Sequence, residues 1–274
     1  MAYEDPGHGP IDYFPCRYGT SKLLFRGPRR RLDGAYCAFL GGSETYGKYV
    51  EDPYPALLEQ GFDMPMVNFG YMNAGADVFL NEPAIVDACN KARVTVIQLL
   101  GAHNMSNRFY AVHPRRNDRF LRASQLMKTI FREVDFTEFH FTRHMLLSLK
   151  ARSLEKYALI EAELKSAWVA RMRLLLQKIS GRTVLLWVGD HHPFGATRDA
   201  LGQEPLLLDG DMVAEIRSFS THFVHADPSD AAQLAGTSGM LFADLDAPAA
   251  AQMPGPRIHQ EIAAALAPVL KGYL

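Results

Sequence analysis

The sequence predicts an α/β fold: a three-layer α/β/α sandwich on a mostly parallel sheet, with a helical insertion after the third strand. Three observations predict it. Val94–Leu100 (VTVIQLL) and Thr183–Val188 (TVLLWV) are nearly continuous apolar runs rich in β-branched residues, the pattern of strands buried on both faces. Such runs alternate with stretches whose apolar residues recur every three or four positions, as helices packed on a sheet require. The chain of 274 residues is 48% apolar, enough for one sizeable core.

Taken in order, residues 1–34 are rich in Pro, Gly and Arg and read as an irregular N-terminal wrap, with a short strand at Lys22–Arg26. Ala35–Leu40 is the first sheet strand. Pro55–Gln60 is a short helix stopped by Gly61. Met66–Phe69 is the second strand, Pro83–Ala92 a helix, and Val94–Leu100 the third strand. Residues 118–180 read as mostly helical, within an insertion spanning about 108–180. Thr183–Val188 and Thr221–Ala226 are further strands. Ile258–Leu270 closes the chain as an amphipathic helix carrying Ile258, Ile262, Leu266 and Leu270 on one face, which suits either the sheet or a second copy in a homodimer. No linker divides the chain, so 1–274 reads as one domain.

Composition narrows the function. Net charge is −1, which gives no footprint for nucleic acid or a membrane surface. No apolar run approaches the roughly 20 residues that span a bilayer. The three cysteines are scattered without a CxxC pair, and the N-terminus MAYEDPGHGP lacks the basic and apolar regions of a secretory signal. The expected compartment is the cytoplasm.

The segment Ala38–Gly47 (AFLGGSETYG) sends an apolar strand into two glycines and a serine, placing the Ser43 hydroxyl where open α/β sheets hold their ligands. A phosphate loop is one reading, since Gly42–Tyr49 nearly matches G-x-x-x-x-G-K-[ST]. Tyr49 replaces the Mg²⁺-binding hydroxyl, and Pro53 and Pro55 interrupt the helix that should follow. The G-x-S-x-G elbow fails because position 45 is Thr and the serine follows the first strand. A third reading takes in more of the chain. Three successive strands each deliver a small or polar residue at the carboxyl end: Ser43, Gly70 (in Asn68-Phe69-Gly70) and Asn104 (in Gly101-Ala102-His103-Asn104).

These three blocks, in this order, resemble the SGNH (GDSL-like) hydrolase superfamily. The resemblance covers residues 35–108 and, loosely, the final helix. It implies an SGNH/flavodoxin-like sheet and an esterase, hydrolase or acyltransferase without a cofactor. Ser43 is then the nucleophile, with the Ser43 and Gly70 N–H groups and the Asn104 amide as oxyanion donors. The chain departs from the pattern where Gly42 precedes the serine and Met105 follows the asparagine. Near the C-terminus, Ala250 and Met253 stand where the family has Asp and His. A base must then come from elsewhere. His191 and His192, in Asp190-His191-His192-Pro193 after a strand, are the first candidates; His103 is second.

Glu44, Asn73, His103, Arg108 and Arg115 complete the expected substrate-binding set. The arginine-rich stretch 107–122 (NRFYAVHPRRNDRFLR) directly follows the Asn104 block. Guanidinium forks suit phosphate, sulfate or carboxylate, so the expected substrate is a small or carbohydrate-linked ester, anionic in part. A domain that keeps the pocket but binds an anion or transfers a charged group is the alternative. His140 and His144 are four apart, as two metal ligands on a helix face would be. Position 141 is Phe rather than Glu and neighbouring phenylalanines favour packing, so no metal is expected.

Overall fold

The computed structural model describes residues 11–189, 191–195, 201–202 and 204–274. Asp190 and the first ten residues of the N-terminal segment lie outside them. Strands β1 (Cys37–Gly41), β2 (Met66–Gly70), β3 (Val94–Gln98), β6 (Arg182–Val188) and β7 (His222–Ala226) form a parallel five-stranded sheet in the order β2-β1-β3-β6-β7. The order reverses between β1 and β3, the crevice in which doubly wound sheets bind ligands. The short strands β4 (Tyr110–Val112) and β5 (Phe120–Ala123) pair as a separate antiparallel hairpin.

The strand residues alternate between two cores, as a period of two requires. Cys37, Phe39, Val94, Val96, Val184 and Leu186 face helices α2 (Tyr54–Gly61) and α11 (Pro256–Lys271). Ala38, Leu40, Ile97, Leu185 and Trp187 face the larger core on the other side. There they meet α3 (Ala76–Leu80), α4 (Pro83–Lys91), α5 (Gln125–Ile130), α6 (Thr142–Arg152), α7 (Leu154–Lys178) and α8 (Gly210–Arg217). The short helices α1 (Ser43–Tyr46), α9 (Asp230–Leu234) and α10 (Ala247–Ala250) lie in connections. Side-chain caps start several helices: Ser124 on α5, Ser153 on α7, Asp209 on α8 and Ser229 on α9 each accept a first-turn N–H.

The α/β fold and its parallel sheet match the expectation, with three differences. Lys22–Arg26 is not a sheet strand; Phe25 makes only an isolated bridge to Cys16. The N-terminal wrap is held instead by Phe25 and Tyr18 packing their rings on Phe69, and by buried Arg26 donating to the carbonyls of Gly47 and Glu51, each at 2.6 Å. The insertion after β3 opens with the β4–β5 hairpin rather than helix. Its strands escape a reading by pattern because Leu121 and Arg122 are both exposed, which breaks the alternation. Finally, His140 precedes α6, so His140 and His144 do not share a helix face. His144 instead packs its ring on Phe139.

Candidate functional site

The polar residues at the carboxyl edge of the sheet are organised around a single turn. After β2, the chain folds back with Ala74 N–H donating to Tyr71 O at 3.1 Å. Asn73 in that turn has φ +55°, the left-handed region that Asn tolerates better than most residues. This conformation directs its main-chain N–H at Ser43 Oγ, 3.1 Å away. The Ser43 hydroxyl in turn faces Asn73 Oδ1 at 3.4 Å. Among the described residues, both hydrogen bonds of Ser43 Oγ are thus to Asn73.

From Asn73 the hydrogen bonds continue into a closed ring. Asn73 Nδ2 donates to Asp118 Oδ2 at 3.3 Å. Asp118 O accepts Thr142 N–H at 3.0 Å, and Thr142 Oγ1 donates to Asn104 Oδ1 at 2.8 Å. Asn104 Nδ2 returns to Asn73 O at 3.5 Å. Ser43 and Asn104, from the ends of β1 and β3, therefore meet through Asn73 from the end of β2. The loop carrying Asn104 is itself fixed from two sides: Trp168 Nε1 donates to Leu100 O at 2.7 Å, and Tyr110 Oη to His103 O at 2.6 Å.

Ser43 is buried and is the first residue of α1, with no acceptor for its main-chain N–H among the described residues. Gly70 pairs in register with Gly41, and its N–H donates to Asn68 Oδ1 at 2.8 Å. That donor is already engaged within the fold. Gly70 is glycine because a Cβ there would stand 2.3 Å from Tyr46 N, against the backbone of α1. Beneath Ser43, Gln98 organises the strand ends: its Oε1 accepts from Gly42 N–H at 3.0 Å and Thr45 Oγ1 at 2.6 Å, while its Nε2 donates to Glu44 Oε2 at 2.9 Å. Glu44 is thus tied down beside the serine.

The remaining expected residues separate. His191 packs its ring on Trp187, and His192 packs on His225 with centroids 4.8 Å apart, at the ends of β6 and β7. Neither bonds Ser43. His103 has its Nδ1 buried without a partner among the described residues. Burial, with a smaller effect from Arg143, pushes its pKa down to about 3, so it stays neutral. Arg108 is exposed and ion-paired with Glu163 at 2.5 Å. Arg115 is exposed, in the connection between β4 and β5 that also carries Asp118. Ala250 and Met253 join Tyr49, Val50 and Met240 in a small apolar cluster.

Sequence reasoning missed Asp118 and Thr142. In the sequence Asp118 stands among Arg115, Arg116, Arg119 and Arg122, and only the hairpin brings it to Asn73. The Asp118 carboxyl is half-buried, and burial raises its pKa against the opposing pull of Arg119 and Arg116. Among the described residues, no group of three or more His, Cys, Asp or Glu is placed to hold a metal ion. Two clefts of about 520 and about 600 Å³ open elsewhere, one beside Arg26, Glu51 and Asp52 and one between α2 and α11; neither is lined by Ser43 or Asn73.

Residues 1–274 match the family described as a domain of unknown function, DUF6473. The chain belongs to the DUF6473 family. No curated protein matches the DUF6473 chain in sequence. Among solved structures it is similar to the lipase Lip_vut3 from a goat rumen metagenome, at 12% identity over 88% of this chain and 98% of that one, with a TM-score of 0.43. It is also similar to protein YXIM_BACsu from Bacillus subtilis, at 12% identity over 88% of this chain and 58% of that one, with a TM-score of 0.42. Both likenesses are weak, and the chemistry of the DUF6473 site rests on its own residues.

Proposed function

We propose that this DUF6473 chain is an SGNH-like serine esterase or acyltransferase, acting on an ester that carries an anionic or carbohydrate group. One observation carries the reading: Ser43 is bonded to Asn73, and Asn73 and Asn104 belong to one hydrogen-bonded ring, at the point where the strand order reverses. Ser43 Oγ attacks the ester carbonyl carbon as its proton passes to a water molecule and from there to the departing alcohol. The oxyanion that forms is met by the unengaged Ser43 N–H and the Asn104 amide, and the alcohol leaves with a proton. Water or an acceptor hydroxyl then releases the acyl group from Ser43. Arg115, exposed on the β4–β5 connection that carries Asp118, supplies positive charge for an anionic substrate.

The test is hydrolysis of aryl esters by purified protein. Wild type turns them over, and Ser43→Ala loses at least about 10³-fold, as removal of a nucleophile requires. A specific observation favours a second reading, in which the site binds an anionic ligand without covalent chemistry. Ser43 Oγ accepts an N–H, and none of the described histidines bonds it. Under that reading both proteins are equally inactive, and Arg115→Ala weakens ligand binding.

A further inference from the structure

We infer that Asp118, brought to the sheet edge by the hairpin insertion, is a positioning residue for Ser43, acting through Asn73. The inference rests on the serine-dependent reading above. Its starting point is donor–acceptor chemistry. An ionised carboxylate can only accept, so at 3.3 Å from Asp118 Oδ2 the Asn73 amide must present its NH₂ group. The amide oxygen then points the other way, towards Ser43 Oγ at 3.4 Å. This orientation makes the hydroxyl the donor to Oδ1, while the Oγ lone pair receives the Asn73 main-chain N–H. A protonated Asp118 offers both a donor and an acceptor, and the amide loses its fixed sense. The charge on Asp118 therefore sets which way the Ser43 proton points.

The neighbourhood supports a role for that charge beyond holding the loop. Holding is already done by Asn117, which is fully buried and accepts Gly75 N–H at 3.0 Å, just beyond the same turn. A neutral amide suffices for that contact. Asp118, next in sequence, keeps a half-buried carboxylate at the cost of desolvation. Among the described residues, the charged and titratable groups acting with it are Arg119 and Arg116 from its own hairpin and Tyr71 from the end of β2. Its main-chain carbonyl, bonded to Thr142 N–H, anchors the residue independently of its side chain. Asp118→Asn therefore removes the charge and leaves the backbone in place.

The experiment has two readouts. The first follows the Asn73 side-chain amide by NMR as pH is lowered, with the signal identified by its loss in Asn73→Asp. The second is the pH profile of Ser43 phosphonylation by a fluorophosphonate. In wild type the Asn73 amide shifts with a midpoint above the ordinary carboxylate value, and phosphonylation slows through the same pH range. In Asp118→Asn the amide no longer titrates, and phosphonylation is slower by about 10- to 100-fold with that pH step gone. An Asn73 amide that does not titrate in wild type, or a pH step that survives Asp118→Asn, would overturn the inference. If wild type is not phosphonylated, the nucleophile reading fails on that result, and the Asn73 titration still decides whether Asp118 positions the turn.

Discussion

Asn73 N–H donates to Ser43 Oγ at 3.1 Å, across the space between the ends of β2 and β1. The contact depends on the left-handed backbone of Asn73 and on the loops that hold its turn. The site is therefore as sensitive to the packing of those loops as to the serine itself.

Gly75 shows this most sharply. A Cβ at Gly75 would stand 1.7 Å from Asn104 O, so no side chain fits between the β2 and β3 loops. Gly75→Ala forces the loops apart, with an expected loss of about 1–3 kcal/mol or more. Thermal unfolding measures it, and an unchanged melting temperature would mean that the loops are not packed as described.

Thr142→Val removes the donor to Asn104 Oδ1 and keeps the side-chain shape. Asn104 is buried, so its carbonyl oxygen is left unsatisfied at a cost of about 1–3 kcal/mol. Urea denaturation should read this loss, accompanied by slower aryl-ester turnover. Full stability and full activity in this variant would remove Thr142 from the ring.

His259 predicts acid sensitivity. It is buried in α11, stacks on Tyr54 and accepts the Tyr54 N–H at Nδ1 over 3.1 Å. Burial, with a smaller effect from Arg26, pushes its pKa down from 6.5 to about 3. The unfolded chain binds the proton as pH falls below 6.5, whereas the folded chain does not until about pH 3. This contribution to stability is complete above pH 6.5 and is lost on the way down, at up to about 1.4 kcal/mol per pH unit. Urea denaturation at pH 7, 6, 5 and 4 should show the fall, and His259→Gln should flatten it. A slope that the substitution leaves unchanged would assign the acid sensitivity to other groups.

Arg115 and Arg108 separate the binding roles. Arg108 is held by Glu163, whereas Arg115 is exposed on the β4–β5 connection that carries Asp118. Arg115→Ala should lower kcat/KM for an anionic ester relative to its neutral analogue by about two- to fivefold, the scale of an exposed charge contact. Arg108→Ala should leave the ratio unchanged. Equal effects from both would point to the general field of the arginine-rich segment.

The sheet was legible because Val94–Gln98 and the strand residues up to Val188 are buried on both faces and so carry continuous apolar runs. That three strand ends deliver Ser43, Gly70 and Asn104 to one edge followed from parallel order alone. The hairpin was not legible, because strands of three and four residues leave too little alternation to read. Asp118 and Thr142 were lost with it. Their part in the site depends on a fold-back that places residue 118 against residue 73, a contact no local pattern records. His191 and His192 show the converse. They are named from their position after a strand, and their rings pack on Trp187 and His225, contacts that the sequence pattern does not record.

The central claim is that Ser43 is a nucleophile. Intact and peptide mass spectrometry after incubation with a fluorophosphonate tests it most directly. One phosphonyl adduct on the peptide containing Ser43, absent in Ser43→Ala, is the predicted result. No adduct on folded wild-type protein, or an equal adduct in Ser43→Ala, would contradict it.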